Sequence, residues 1–202
     1  MISSTIIQNI KSISDTYIAF FFFDFKDKGK QDVRALLLSF LVQLADQSDS
    51  CCDILLALYS SLRRGSELHK PGNGALTQCL KDMFMIPGRL PIYLIIDAID
   101  ESSDGYGIPS SRGKVLELMK TLVELHLPNL RIFATSRPES DIQTALESLT
   151  CTTISIHDQE GQKRDIADYI RYVVYSDVNM KRWWEDDKKL VVETLSDRAG
   201  GM

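Results

Sequence analysis

In LPIYLIIDAIDES, residues 90–102, an apolar run ends in three acids, Asp97, Asp100 and Glu101. Residues 92–96 are apolar on both faces, as a central strand of a parallel sheet must be. In such sheets ligands bind at the carboxyl ends of the strands, which is where these acids fall. Like charges gathered there need a cation or a proton-transfer role to offset their repulsion. Magnesium with a polyphosphate answers that need: one carboxylate holds the ion and a neighbour orients the attacking water. The alternative is a capped turn, with Asp97 and Asp100 as helix caps and Glu101 solvated.

A cation follows at a comparable place. Residues 130–135, LRIFAT, read as a second strand, and Arg137 stands just beyond its end. Pro138 disfavours the helical conformation at Arg137 and keeps it extended. A guanidinium there meets a γ-phosphate bidentately. It is equally placed to pair with the acids at 97–101, and both roles are compatible.

The elements that position these groups alternate. Residues 4–13 predict a helix with Ile6, Ile7, Ile10 and Ile13 on one face, and 18–25 a doubly buried aromatic strand. Asp32 is a candidate N-cap for a helix carrying Val33, Leu36, Leu37, Phe40, Leu41 and Leu44. Further helices are expected on Cys52, Leu55, Leu56, Tyr59 and Leu62, and on Leu76, Leu80, Met83 and Phe84. A loop is expected over 68–74, and another over 102–111. Helices over 113–127 and 141–149, a last strand over 152–156, and helices around 166–174 and 190–198 complete the pattern. Strands separated by helices predict α/β architecture with a mostly parallel sheet and flanking helices. The shift from strands to helices places a boundary near residue 157, giving a core over 1–157 and the start of an all-helical subdomain over 158–202.

Composition narrows the function classes. The net charge of -5 over 202 residues gives no basic balance for nucleic acid. The most apolar run, YIAFFFF at 17–23, is far shorter than the roughly 20 residues a bilayer needs, so no membrane span is expected. The four cysteines, Cys51, Cys52, Cys79 and Cys151, form no CxxC pair, which argues against zinc and for a reduced, cytoplasmic compartment. The histidines are scattered. Trp183-Trp184 is expected on an amphipathic helix, one ring packed and the other half exposed, and Arg63-Arg64 at a solvated helix end.

Residues 94–101, LIIDAIDE, resemble the extended Walker B motif of NACHT-type NTPases in the STAND class of P-loop proteins. That motif has four apolar residues, Asp, a small residue, any residue, then two acids. Residues 130–138, LRIFATSRP, resemble the family's sensor 1 strand, which ends in Thr-Ser-Arg-Pro. More weakly, 17–30 is similar to the second strand of modules related to the nephrocystin-like N-terminal region. Residues 165–174 and 190–202 are similar to the helical segment after the NTPase core. The resemblance implies Asp97 as the magnesium ligand, and Asp100 and Glu101 polarising water with Arg137 beside them. By the same resemblance Thr135 and Ser136 are expected to line the nucleotide, ATP or GTP with Mg²⁺. It also implies protein partners or self-oligomerisation through NACHT assembly.

The family's phosphate cradle, GxxxxGK[ST], is not among the 202 residues. Gly29-Lys30 is followed by Gln31, and Gly113-Lys114 by Val115. In the family this loop feeds a helix like residues 3–10, so its first strand and P-loop are expected just upstream of Met1. The chain is then a piece of a longer protein, a truncated gene model, or a variant that has lost them. The family's strand order, 5-1-4-3-2, puts that first strand between the strands at 130–135 and 152–156. Without it, buried backbone groups left unpaired cost about 1–3 kcal/mol each. The chain alone is therefore expected to be unstable, aggregation-prone or altered in sheet closure.

Three functions follow. The first is a nucleotide-dependent switch in a larger signalling protein, a slow ATPase or GTPase by resemblance. The second is an interaction module with a vestigial site. The third is a metabolic enzyme using the acids as metal ligands, which lacks an accompanying nucleophile or histidine.

Overall fold

The computed structural model describes residues 2–13, 15–64, 67–68, 70–86, 90–103, 110–149, 152–155 and 160–198. The chain divides into two compact units, Met1–Leu149 and Thr150–Met202.

The first unit is a parallel three-stranded sheet with helices on both faces, an α/β architecture. In chain order its elements are α1 (Ile2–Lys11), β1 (Tyr17–Phe22), α2 (Val33–Gln47) and α3 (Asp49–Leu62). A short antiparallel pair follows, β2 (Arg63–Arg64) and β3 (Glu67–Leu68), then α4 (Asn73–Phe84) and β4 (Ile92–Asp97). The unit closes with α5 (Ser111–Val123), β5 (Leu130–Ala134) and α6 (Ser140–Glu147). The sheet order is β1-β4-β5, with Tyr17 opposite Ile92, Phe22 opposite Asp97, and Ile92 opposite Leu130.

Strand β4 is central because it can be buried on both sides. Ile92, Leu94 and Ile96 face one core and Ile95 the other, all without solvent contact. The larger core joins that first face to Ala19, Phe21 and Phe23 and to the apolar stripes of α2, α4 and α5. The opposite face is covered by α1, whose Ile7 and Ile10 pack on Ile18 and Ile95. Helix α2 starts where expected. The Asp32 carboxylate accepts from the Ala35 N–H at 2.8 Å, and the predicted face from Val33 to Leu44 is buried.

Several expectations are corrected. Helix α1 ends at Lys11, leaving Ile13 exposed beyond it, and Phe25 is exposed past the end of β1. Helix α3 is turned about one residue from the expected face. Cys51 is buried with Ile54, Leu55 and Leu58 against the core, while Leu56 and Tyr59 are exposed. Arg63-Arg64 does follow the end of α3, with exposed Arg63 as its C-cap, and also forms the short strand β2. Helix α5 starts at Ser111, because Ser110 accepts from the Gly113 N–H at 3.0 Å, and stops at Val123. Residues 152–155 form no strand and are exposed. A lone β segment gains nothing until a neighbour supplies a ladder. Residue 156, residues 104–109 of the expected loop, His69, His157 and Cys151 lie outside the described residues.

The second unit pairs α7 (Glu160–Ser176) with α8 (Glu185–Arg198). The Tyr175 hydroxyl donates to Glu185 at 3.0 Å, and this bond raises the phenol's pKa. Helix α8 begins five residues before the expected start. Trp183 and Trp184 sit in the turn before it, with exposed rings, rather than on a helix. No helix among the described residues is long and apolar enough to cross a membrane.

Candidate functional site

Strand β4 ends on Asp97, and the chain then turns sharply. Ala98 takes the left-handed conformation, φ 56° and ψ 55°, and Ile99–Glu101 forms one 3₁₀ turn. Ile99 is fully buried and anchors that turn, while the Ser102 hydroxyl donates to the Ile99 carbonyl at 2.6 Å. This geometry splays the three acids. Asp97 Oδ1 accepts from the Ser3 hydroxyl on α1 and from the Thr135 hydroxyl at 2.7 Å. Asp100 faces the segment after β5, and Glu101 Oε2 accepts from the Phe25 N–H beyond β1 at 3.4 Å. Neither Asp97 nor Asp100 caps a helix through its side chain.

The chain after β5 runs on beside that turn. The Thr135 N–H donates to the Ile96 carbonyl at 2.9 Å, and the Ile99 N–H to the Thr135 carbonyl at 3.0 Å. The Thr135 hydroxyl also accepts from the Ala98 N–H at 2.9 Å. The Arg137 N–H donates to Asp100 Oδ1 at 3.0 Å, and its Nε lies 3.4 Å from Asp100 Oδ2. The two partners differ sharply: the Asp100 side chain is 9% exposed and that of Arg137 78%. The carboxylate is held by a charge-assisted bond to backbone, whereas the guanidinium is a surface partner worth at most about 1 kcal/mol. Arg137 can therefore leave Asp100 at little cost. The Ser136 hydroxyl donates to the Arg137 carbonyl at 2.8 Å.

The expected site residues thus separate into two pairs, Asp97 with Thr135 and Asp100 with Arg137, with Glu101 on the β1 side. Each acid has its own hydrogen-bond partner in the protein. Among the described residues, no group of three or more His, Cys, Asp or Glu side chains is placed to hold a metal. Asp97 fits a magnesium ion held mainly through phosphate oxygens and water, which needs one or two carboxylates. The phosphate cradle itself is not among these residues.

Two site residues went unread in the sequence. Ser3 is buried at the start of α1, where SSTI resembles an ordinary helix opening. Arg112 is buried in the first turn of α5. Its guanidinium donates to the Asp100 carbonyl at 2.8 Å and lies 3.4 Å from Asp141 on α6. A signal for it existed. Arg112 precedes Val115, Leu116 and Met119 at helical spacing, on the stripe that faces the core.

A family model described as Nephrocystin 3, N-terminal, matches residues 1–137. No curated protein and no solved structure matches the chain. With about two thirds of its residues covered, the chain belongs to the nephrocystin 3 N-terminal family.

Proposed function

Starting from that membership and the side chains gathered at the carboxyl ends of β4 and β5, we propose that the chain is the core of a NACHT-type nucleoside-triphosphate switch in a larger cytoplasmic signalling protein. The observation that carries this reading is the Arg137–Asp100 pair, a buried carboxylate fixed by backbone beside an exposed guanidinium that is free to swing. A γ-phosphate gives that guanidinium a stronger bidentate partner than Asp100. In the absence of a triphosphate, Asp100 holds it.

The other residues divide the remaining work. Asp97, oriented by the Ser3 and Thr135 hydroxyls, would hold magnesium on its free side. Bound magnesium would neutralise the phosphate charge of ATP or GTP and order the polyphosphate. Asp100 and Glu101 orient the attacking water, and Thr135 and Ser136 line the γ-phosphate side. Any hydrolysis is slow, and its purpose is to reset the switch. Movement of the Arg137 side chain from Asp100 to the γ-phosphate, with the backbone of the segment held in place, is the local change that passes nucleotide state to protein partners or a second copy.

A second reading is favoured by one observation: Asp97, Asp100 and Glu101 each already have a hydrogen-bond partner within the protein. It is an interaction module whose nucleotide site is vestigial. A titration of a fluorescent ATP analogue with Mg²⁺ separates the two. One sample is this chain, and the other carries a strand and a GxxxxGKS loop ahead of α1. The switch reading expects binding by the second sample, lost in Asp97→Ala. No binding by either folded sample supports the interaction module.

A further inference from the structure

The two outer edges of the sheet are treated differently. In β1 the odd residues turn their backbone to β4: the Tyr17 N–H donates to the Pro91 carbonyl at 2.9 Å and the Phe23 N–H to the Asp97 carbonyl at 3.1 Å. The even residues, Ile18 and Phe20, therefore present their N–H and C=O groups to the outside, where another strand would pair. Two glutamines of α2 occupy that position. Gln47 Oε1 accepts from the Ile18 N–H at 2.9 Å, and its Nε2 donates to the Ile18 carbonyl at 2.7 Å. Gln43 Oε1 accepts from the Phe20 N–H at 3.1 Å, and its Nε2 donates to the Phe20 carbonyl at 2.8 Å.

A carboxamide has the same donor and acceptor as a peptide group. Gln43 and Gln47 are four residues apart, on one face of α2 and one turn of 5.4 Å from each other. Ile18 and Phe20 are two residues apart on a strand, about 6.6 Å. The two repeats match closely enough for consecutive glutamines to serve consecutive outward residues. Ser39, one turn earlier, supports the row by accepting from Gln43 Nε2 at 2.8 Å. Among the described residues, β5 pairs only with β4 and carries no such row.

We propose that Gln43 and Gln47 form a two-carboxamide seal that stands in for a strand on the β1 edge and prevents this edge from pairing with a second copy of the chain. Strand addition to the sheet is thereby confined to the β5 side. The YIAFFF strand makes the seal necessary. It is aromatic, uncharged and free of proline, the composition that pairs edge to edge when its backbone is open.

The test is amide hydrogen exchange with sedimentation velocity on the full chain, comparing the parent with Gln43→Ala/Gln47→Ala. In dilute solution the Ile18 and Phe20 amides of the variant should exchange at least about tenfold faster, the loss of roughly 1.4 kcal/mol of protection. Those of Ala19 and Phe21 should keep parent rates. With increasing concentration the variant should self-associate more than the parent, and Ile18 and Phe20 should become protected again as a second strand replaces the carboxamides. Gln47→Met leaves α2 and its buried face intact and repeats the test at Ile18 alone if the double variant fails to fold. Unchanged Ile18 exchange in a folded variant overturns the proposal. So does faster exchange with no added self-association, or association that leaves these two amides unprotected.

Discussion

Thr135→Val tests the junction that holds the site together. The Thr135 hydroxyl donates to Asp97 Oδ1 at 2.7 Å and accepts from the Ala98 N–H at 2.9 Å. Valine keeps the shape and removes both bonds. A hydrogen bond to a charged group is worth about 1.5–3 kcal/mol, and an orphaned donor costs about 1–3. Thr135 is only half-buried, so water recovers part of each, and Asp97 keeps its bond from Ser3. The net loss should be about 1–2 kcal/mol. Urea unfolding reads this as a midpoint lowered by about 0.5–1 M at an unchanged slope near 2 kcal/mol/M. Both tryptophans lie in the second unit, so the transition should be followed by circular dichroism and by the amide signals of β4 rather than by tryptophan fluorescence. Thr135→Ser retains both bonds and should lose less. If the valine variant matches the parent within about 0.3 kcal/mol, below the weakest typical net hydrogen bond, the junction does not organise the site as argued.

Two further substitutions probe neighbouring features. Ala98 sits at φ 56° without being glycine, so Ala98→Gly should relieve strain and leave stability unchanged or up to about 1 kcal/mol higher in the same urea assay, a large loss being the contrary result. Burial pushes the Cys79 thiol from 9.0 up to about 11, with Asp82 and Cys51 adding to the shift. The folded state thus keeps this proton after the unfolded chain has lost it. The stability contribution is complete below pH 9.0 and falls as pH rises from there through 11. Unfolding at pH 8 to 11 with Cys79→Ala beside the parent should show the parent's decline to be steeper. Alkylation at pH 8 should label half-buried Cys52 before Cys79.

The sheet was legible where one pattern excluded all others. β4 is apolar on both faces, and α2 combines an Asp cap with an unbroken buried stripe. Helix α3 was misread in orientation because CCDILLALY offers apolar residues on nearly every face, so spacing alone cannot select the buried one. The 152–156 segment has strand-like alternation, but a strand is a property of a pair, and no partner can be read from a single run. In the site, Asp100 and Arg137 were legible together because both follow strands that lie side by side. Ser3 and Arg112 were not, since a small hydroxyl and a buried cation act through tertiary contacts that leave only faint local marks. The carboxamide seal was hidden for the same reason. SxxxQxxxQ reads as an ordinary polar stripe until the strand beside it is known.

The central claim is that Arg137 belongs to the γ-phosphate. Its most direct test is the ratio of dissociation constants for Mg-ATP and Mg-ADP in a chain supplied with a GxxxxGKS loop ahead of α1. The parent should prefer the triphosphate. Arg137→Ala should lower triphosphate affinity about 10- to 100-fold, the worth of a charge-assisted bond of roughly 1.5–3 kcal/mol, and leave the diphosphate untouched. Equal loss for both nucleotides, or none for either, would contradict the account.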